Sequence, residues 1–513
     1  MLLPSTPPLF NLRSQIAAFP LFLFSVSLSS YLFSMASRLP TSPSSPLEPP
    51  SPTRVPQRLH PPLLFLLLLL SLLLPACTRI DHRPDLARAE SLVHSSTARW
   101  RPDWNAPWSA DDLADWDPST TPLTEHLAVT LALRDNPAIR ADLETIAAAR
   151  ADLVQSRLLP NPVLSAAFGI PIAGTDGGTH ITLGAMQHLT SLWLRPHRSA
   201  AADAALREAI LRVSDNALRL VADARAAHAR ALAAERALLI QRELAEIAAE
   251  QLALVRAAAD AGEASLADLA AAEIALAQAQ RDALDREHAL AAARLALLAR
   301  IGRADAPDAF TLAPPSSHHH EDPPAPSVPP DEHAIIALAT TQRLDVAAAL
   351  AARDGASARL REAGLAPLPD LAVGPMYERE MHGEKMLGPS VSIEIPIFDD
   401  GSAAKARAAA DARRADLLAR RTLQNAVQEA RDAYHAHQHA AAAAAIARRR
   451  ILPAAARSLA LAQSAYDAGE ASLADLLAAR RDHAAATLTT IDADLAATLA
   501  LIELERSVGG RLD

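Results

Sequence analysis

The chain has 513 residues, half of them hydrophobic, with aromatics at only 4% and a formal net charge of −10. Its mixed charges leave no basic patch for nucleic acid, and its single cysteine rules out an internal disulfide. A composition dominated by alanine, with leucine, arginine and glutamate, favours long helices over a thick globular core.

Residues 1–77 read as a leader rather than as fold. The stretch "RLHPPLLFLLLLLSLLLPACTRI" places Arg58 and His60 before an apolar run from Leu63 to Leu74, too short for a confident membrane span. Leu74, Ala76 and Cys77 resemble a bacterial lipoprotein cleavage box, which implies a lipid anchor on Cys77. Pro75 departs from the small residue usual in that box, and Thr78 is not the aspartate that retains such lipoproteins at the inner membrane. Upstream, a second apolar patch and the spacer "PTSPSSPLEPPSPTRVP" fit an over-long N-terminal extension, with Met35 as the expected true start.

Residues 78–123 are rich in Trp, Pro and Asp and read as an irregular N-terminal strap. A first repeat is expected over 124–302. It opens with "LTEHLAVTLALRDNPAIRADLETIAAARADLVQSRLLP", apolar at helical spacing with a break at Pro137. The helix should stop at "LLPNP", because Pro160 and Pro162 cannot continue it. The period then changes to two: Leu164, Ala166, Phe168 and Ile170, then Ile181, Leu183 and Ala185, predict a β-hairpin over 162–190. From Ser199 the helical pattern persists to Gly262, which at 1.5 Å per residue predicts a helix on the order of 95 Å. A tight turn at 261–269 leads to a helix returning to about Gly302.

Residues 303–330 form a Pro/His-rich linker, in which His318 to Asp322 ("HHHED") has donors for a metal but no fixed geometry, so no metal site is assigned. The same programme then recurs over 331–508. A helix leads to "AGLAPLPDL", a hairpin over 370–397, a long helix from Ser402 to Gly469, a turn at 468–476 and a last helix to about Leu504, before a tail at 509–513. The nonapeptide "AGEASLADL" occurs in both turns, and Gly262 and Gly469 stand 207 residues apart, as do Pro160 and Pro367. Two kinds of punctuation sharing one offset identify an internal duplication. In each turn the glycine suits a left-handed helix end, and Ser265 with Asp268, or Ser472 with Asp475, has capping-box spacing.

Strand "SVSIEIPIF" alternates Val391, Ile393, Ile395 and Ile397 against Ser390, Ser392 and Glu394, as a wall between lipid and a wet lumen would. Four strands cannot close a barrel, and lipid tolerates no open edge, so hairpins from several copies must be pooled. A hollow helical tube suits the Ala-rich helices better than a solid coiled coil, since the long helix lacks clean leucine heptads. Met186, Met376, Met381 and Met386, near strand ends, read as loop or barrel filler.

Over about residues 110–510 the pattern resembles the TolC-type outer-membrane factor family, in its lipoprotein efflux-channel branch. The resemblance rests on "LTEHLAVTLALRDNPAIRA", "LLPNP", "RLDVAAALAARDGASARLREAGLAPLPDL", "SIEIPIFDDGSAAKARAAAD" and "AYDAGEASLADLLAARRD" with its twin. It implies a mostly α chain with a membrane β-barrel part. Three copies would form a twelve-stranded barrel in the bacterial outer membrane, continuous with a periplasmic α-helical barrel. It also implies that Gly262, Ser265, Asp268, Gly469, Ser472 and Asp475 lie in the tip turns where a periplasmic adaptor docks. The family's aromatic three positions before the glycine is matched by Tyr466 but not by Ala259. Asp475 matches a position whose carboxylates narrow the tip in relatives, whereas Ala478 replaces another acidic position.

The chain carries no G-x-x-x-x-G-K-[ST] and no G-x-G-x-x-G within a βαβ unit, so no catalytic residue and no cofactor is assigned. The leading expectation is a passive exit duct of a tripartite efflux system. It would dock an adaptor (membrane fusion protein) and a proton-driven inner-membrane transporter to expel drugs, metal cations or other small toxic compounds. The alternatives are the outer-membrane channel of a type I protein secretion system, or a non-channel periplasmic coiled-coil adaptor or scaffold.

Overall fold

The computed structural model describes residues 80–105, 116–170, 172, 178–313, 331–365, 368–510 and 512. Cys77 and the rest of the leader, the His318–Asp322 run and Pro367 lie outside the described residues. Element order follows the duplication. The first half contains α1 (Arg83–Thr97), α2 (Glu125–Asp135), α3 (Pro137–Arg157), β1 (Val163–Gly169), β2 (His180–His188), α4 (Thr190–Asp260) and α5 (Leu266–Arg300). The second contains α6 (Glu332–Gln342), α7 (Leu344–Ala363), β3 (Asp370–Arg379), β4 (Lys385–Glu394), α8 (Ser402–Ile446), α9 (Leu452–Asp467) and α10 (Leu473–Val508).

The two hairpins join in one antiparallel sheet of order β1-β2-β3-β4. Register places Leu164 opposite Ala185, Ala166 opposite Leu183, and Phe168 opposite Ile181; across β3–β4, Leu371 meets Ile393 and Val373 meets Val391. One face is therefore apolar, and it is bare: Leu164 is 79% exposed, Phe168 66% and Val391 61%. The other face carries two hydrogen bonds between the hairpins, His180 Nε2 with Glu378 Oε1 at 2.7 Å and His188 Nδ1 with Asp370 Oδ2 at 2.8 Å. At the strand-to-helix junction the Thr190 hydroxyl donates to Pro369 O (3.1 Å) and accepts from Leu371 N–H (2.7 Å), stitching α4 to the second hairpin.

Near the sheet, α3, α4, α7 and α8 lie side by side; farther away the order is α5, α4, α10, then α8 and α9. The chain is thus a strip with two free edges. One runs through β1, α3 and α5, the other through β4, α8 and α9. Both carry exposed apolar side chains, Leu266, Ile274, Leu284 and Leu295 on α5, and Leu417, Leu418, Leu423 and Leu461 on α8–α9. By length and composition α10 is apolar enough to cross a membrane, as is the bent pair α6–α7 if taken as one span; Leu476, Leu477, Ile502 and Leu504 of α10 are buried in the helical layer.

Several boundaries differ from the sequence reading. The strap is not irregular throughout, because Arg83–Thr97 forms α1. Pro84 suits a first helical turn, and Leu86, Ala89 and Val93 recur at helical spacing to bury one face. Helix α4 starts at Thr190 rather than Ser199 and runs 71 residues, about 106 Å. Pro196 is tolerated inside it because the carbonyl it leaves unpaired is near the helix start. Strand β4 ends at Glu394, so Ile395 and Ile397 lie beyond it; Pro396 has no N–H for the ladder. The long second helix is interrupted over Ala447–Ile451 by a π turn, where Leu452 N–H bonds Ala447 O. Pro453 withdraws one helical donor, and the widened turn absorbs the ring. The last helix reaches Val508, not Leu504.

The main apolar core lies where the strap crosses α2, α3 and α4, with Trp100, Trp104 and Trp116 all at or below 4% exposure. Trp104 Nε1–H donates to Leu133 O (3.0 Å) and Trp116 Nε1–H to Thr121 O (3.0 Å). Buried His228 of α4 lies 3.0 Å from Leu123 O, beside the short parallel bridge of Leu123 with Leu312. Arg225 binds Glu125 (2.9 Å) and Glu505, tying the two halves together.

Candidate functional site

The six residues singled out in the nonapeptides come together as two helix-to-helix turns, one at the end of α4 and one at the end of α9. In the first, Gly262 has φ 77°, and Glu263 N–H reaches back to Ala258 O (2.8 Å) in the pattern that closes a helix on a left-handed residue. In the second, Gly469 has φ 73° and Glu470 N–H reaches Ala465 O, again 2.8 Å. A Cβ on either glycine would meet nothing within 4 Å. Both turns therefore project into open space.

Each turn restarts a helix through a full capping box. Ser265 Oγ accepts from Asp268 N–H (3.1 Å), while Asp268 Oδ2 accepts from Ser265 N–H (3.0 Å) and from its hydroxyl (2.7 Å). Ser472 and Asp475 repeat this at 3.2, 3.0 and 2.6 Å. The serine hydroxyl, then the serine backbone N–H, hold both aspartates below the ordinary carboxylate range. Asp475 is thus an ionised cap at the helix start, where the dipole also favours negative charge.

The surroundings of the turns are unequal. Leu266, after the first cap, is 82% exposed while its counterpart Leu473 is half-buried, and Leu269 is half-buried while its counterpart Leu476 is buried. Tyr466 is 39% exposed beside the second turn, with Ala259 in its place at the first. Arg480 and Glu250 form a bridge of 3.6 Å between α10 and α4 close to both turns. Among the described residues no group of three or more His, Cys, Asp or Glu could hold a metal ion. The turns offer hydrogen-bonded backbone and small polar side chains.

The sequence reading ends the returning helix at about Gly302 but does not pair that glycine with Gly509. Gly302 (φ 76°) closes α5 and Gly509 (φ 86°) closes α10, and they too stand 207 residues apart. A Cβ on Gly302 would lie 2.7 Å from Asp135 O; one on Gly509 would lie 2.9 Å from Arg343 Cα. Each thus seats the end of a long helix against the kink between two short ones, α2–α3 or α6–α7. The shared offset was the signal that could have found them.

Residues 335–510 match the family model described as outer membrane efflux protein. The match lies over the second repeat. The fold is also similar to that of solved outer-membrane channels. A structure of CusC, solved in a study of transmembrane channel formation, superposes with a TM-score of 0.61 at 19% identity, covering 81% of this chain and 99% of that one. The Campylobacter jejuni CmeC outer membrane channel gives 0.59 at 16% identity, covering 80% and 94%. The open state of the Neisseria gonorrhoeae MtrE outer membrane channel gives 0.58 at 22%, covering 75% and 88%. No curated protein matches the chain significantly in sequence. The efflux-protein match does not reach the first repeat, so its kinship with the second rests on the shared element order and punctuation.

Proposed function

We propose that three copies of this chain close edge to edge into a passive outer-membrane exit duct of a tripartite efflux system. The sheets would pool into a twelve-stranded barrel, and the helices would continue it as a periplasmic tunnel. The observation that carries this reading is the strip with two open edges, apolar at both sides in the helical layer and unpaired at both sides in the sheet. An unpaired sheet edge beside a bare apolar face is untenable in lipid, and association of copies removes both defects together.

The tip turns then lie at the periplasmic end, about 106 Å of α4 away from the sheet. Gly262, Ser265, Asp268, Gly469, Ser472 and Asp475 would receive an adaptor, and the adaptor would bring a proton-driven inner-membrane transporter. Asp475, repeated three times, would give the tip a ring of like charge that attracts cations. Cys77 would carry a lipid anchor into the outer membrane. Drugs, metal cations and other small toxic compounds are the expected cargo.

The test is a deletion strain profiled across antibiotics, solvents and metals, with purified protein imaged by electron microscopy. Lowered resistance restored by the gene, together with a hollow threefold cylinder, is expected. A solitary inserted molecule would overturn the duct. Unchanged resistance with a missing exported protein would replace efflux by type I secretion.

A further inference from the structure

The duplication gives a template for the joint between copies. Within one chain, β2 of the first repeat pairs with β3 of the second: Leu183 faces Tyr377, Gly184 faces Met376, Gln187 faces Val373 and His188 faces Ala372. Between copies, β4 of the second repeat must meet β1 of the next first repeat, which is the same junction one repeat later. This step rests on the three-copy reading above. The repeat correspondence is fixed by the hairpins themselves. Val163 and Asp370 start equivalent strands 207 residues apart, Val163 faces Met186, and Asp370 faces Glu394. Met186 therefore corresponds to Glu394, Gln187 to Ile395, and Leu183 to Val391.

Carrying the β2–β3 register through this correspondence, we infer that β4 of one copy pairs antiparallel with β1 of the next, with Val391 facing Ile170, Ile393 facing Phe168, Ile395 facing Ala166 and Ile397 facing Leu164. The intervening partners are Ser392 with Gly169, Glu394 with Ala167 and Pro396 with Ser165.

An independent rule agrees with this register. A slip of one residue turns every side chain to the wrong face. The copied register instead puts the apolar alternation of β4 against the apolar alternation of β1 without exception. All of these large side chains are uncovered in the single chain: Ile170 at 77%, Ile393 at 55%, Ile395 at 71% and Ile397 at 74%. The inference also accounts for the early end of β4. Ile395–Phe398 lie past the strand as β3 provides it, because β3 begins at Asp370 opposite Glu394. The neighbouring β1 reaches farther and supplies partners through Leu164 and Val163; the Ile397 N–H, which in the single chain bonds Ile395 O (2.9 Å) across Pro396, would be released as the strand lengthens in the assembly.

Cysteine cross-linking in outer membranes tests the register, using full-length protein with Cys77 retained and Cys77 alone as the background. Residues directly opposite bring Cβ atoms to about 4.5–5.5 Å, against roughly 7–8 Å for neighbours two residues along, and a disulfide needs close Cβ approach. Ile393→Cys with Phe168→Cys should yield covalent dimers and trimers at least tenfold more efficiently than Ile393→Cys with Ala166→Cys or Ile170→Cys. Ile397→Cys with Leu164→Cys provides a second aligned pair if the first variant fails to insert. Native mass measurement separates the two levels. A trimer that cross-links best at a shifted pair, or at none, overturns the register and leaves the duct standing. A monomer overturns the duct, and the register with it.

Discussion

Replacing Gly302 with alanine should loosen the chain far more than replacing Gly469, although their φ values are 76° and 73°. A side chain in the left-handed region costs roughly 1–2 kcal/mol. At Gly469 that is the whole cost, because an added Cβ meets nothing within 4 Å. At Gly302 the Cβ lies 2.7 Å from Asp135 O and 2.9 Å from Asp135 C, both backbone, so the α2–α3 kink must move. Overpacking of this kind adds about 1–3 kcal/mol. Hydrogen exchange read by mass spectrometry separates the sites, since local opening is reported amide by amide. Gly469→Ala should speed exchange of the Glu470 amide, bonded to Ala465 O, by about tenfold. Gly302→Ala should speed the Arg303 amide, bonded to Leu298 O, on the order of a hundredfold or more and reach the α2–α3 segment. Equal acceleration at the two sites would refute the reasoning from backbone contact.

Ser472→Lys or Gly469→Pro should abolish transport in a resistance assay while leaving trimer and membrane insertion intact; normal resistance would remove the tips from docking. Arg343 is 5% exposed in its side chain and binds Asp345, Glu429 and Ser507 O. Arg343→Met should therefore cost about 3–5 kcal/mol by stranding Asp345, seen as a lowered denaturation midpoint, and a shift below 1 kcal/mol would count against it. Burial pushes the pKa of His228 below its ordinary value, against the opposing pull of Leu123 O and Glu125. Half-buried His437 is lowered too, by desolvation. A histidine depressed in the fold contributes stability above its unfolded pKa near 6.5 and loses it as pH falls towards the folded value. Stability should thus decline below about pH 6.5, and His228→Asn should flatten that decline; an unchanged slope would acquit the residue. Cys77→Ala should end incorporation of labelled acyl chains, and undiminished label would rule out the anchor.

Repeat order, the β-hairpins and the tip turns were readable because they depend on local chemistry: prolines that stop a helix, alternation that sets a strand, and a glycine with a serine cap. Capping geometry at Ser265 and Ser472 follows from spacing alone. What escaped depends on partners distant in sequence. Helix α4 starts before Pro196, at Thr190, where the chain is held to Leu371, 181 residues away. The roles of Gly302 and Gly509 lie in a close approach to another helix pair, which no local pattern announces. The π turn at Ala447–Ile451 needed attention to Pro453, set in an otherwise unbroken helical period. Strand β4 stops where its in-chain partner stops, although the apolar alternation in the sequence continues to Ile397.

The three buried tryptophans are sewn onto one half of the chain only. There α4 runs unbroken under the strap, whereas its counterpart is divided by the widened turn before Pro453 and backed by the smaller apolar cluster around Ile335 and Tyr434. The two halves of the strip are therefore unequally braced. In the proposed three-copy tube a load at the distal ends would then strain mainly the second half of each chain, and a dilating movement would advance by alternate staves rather than all six at once.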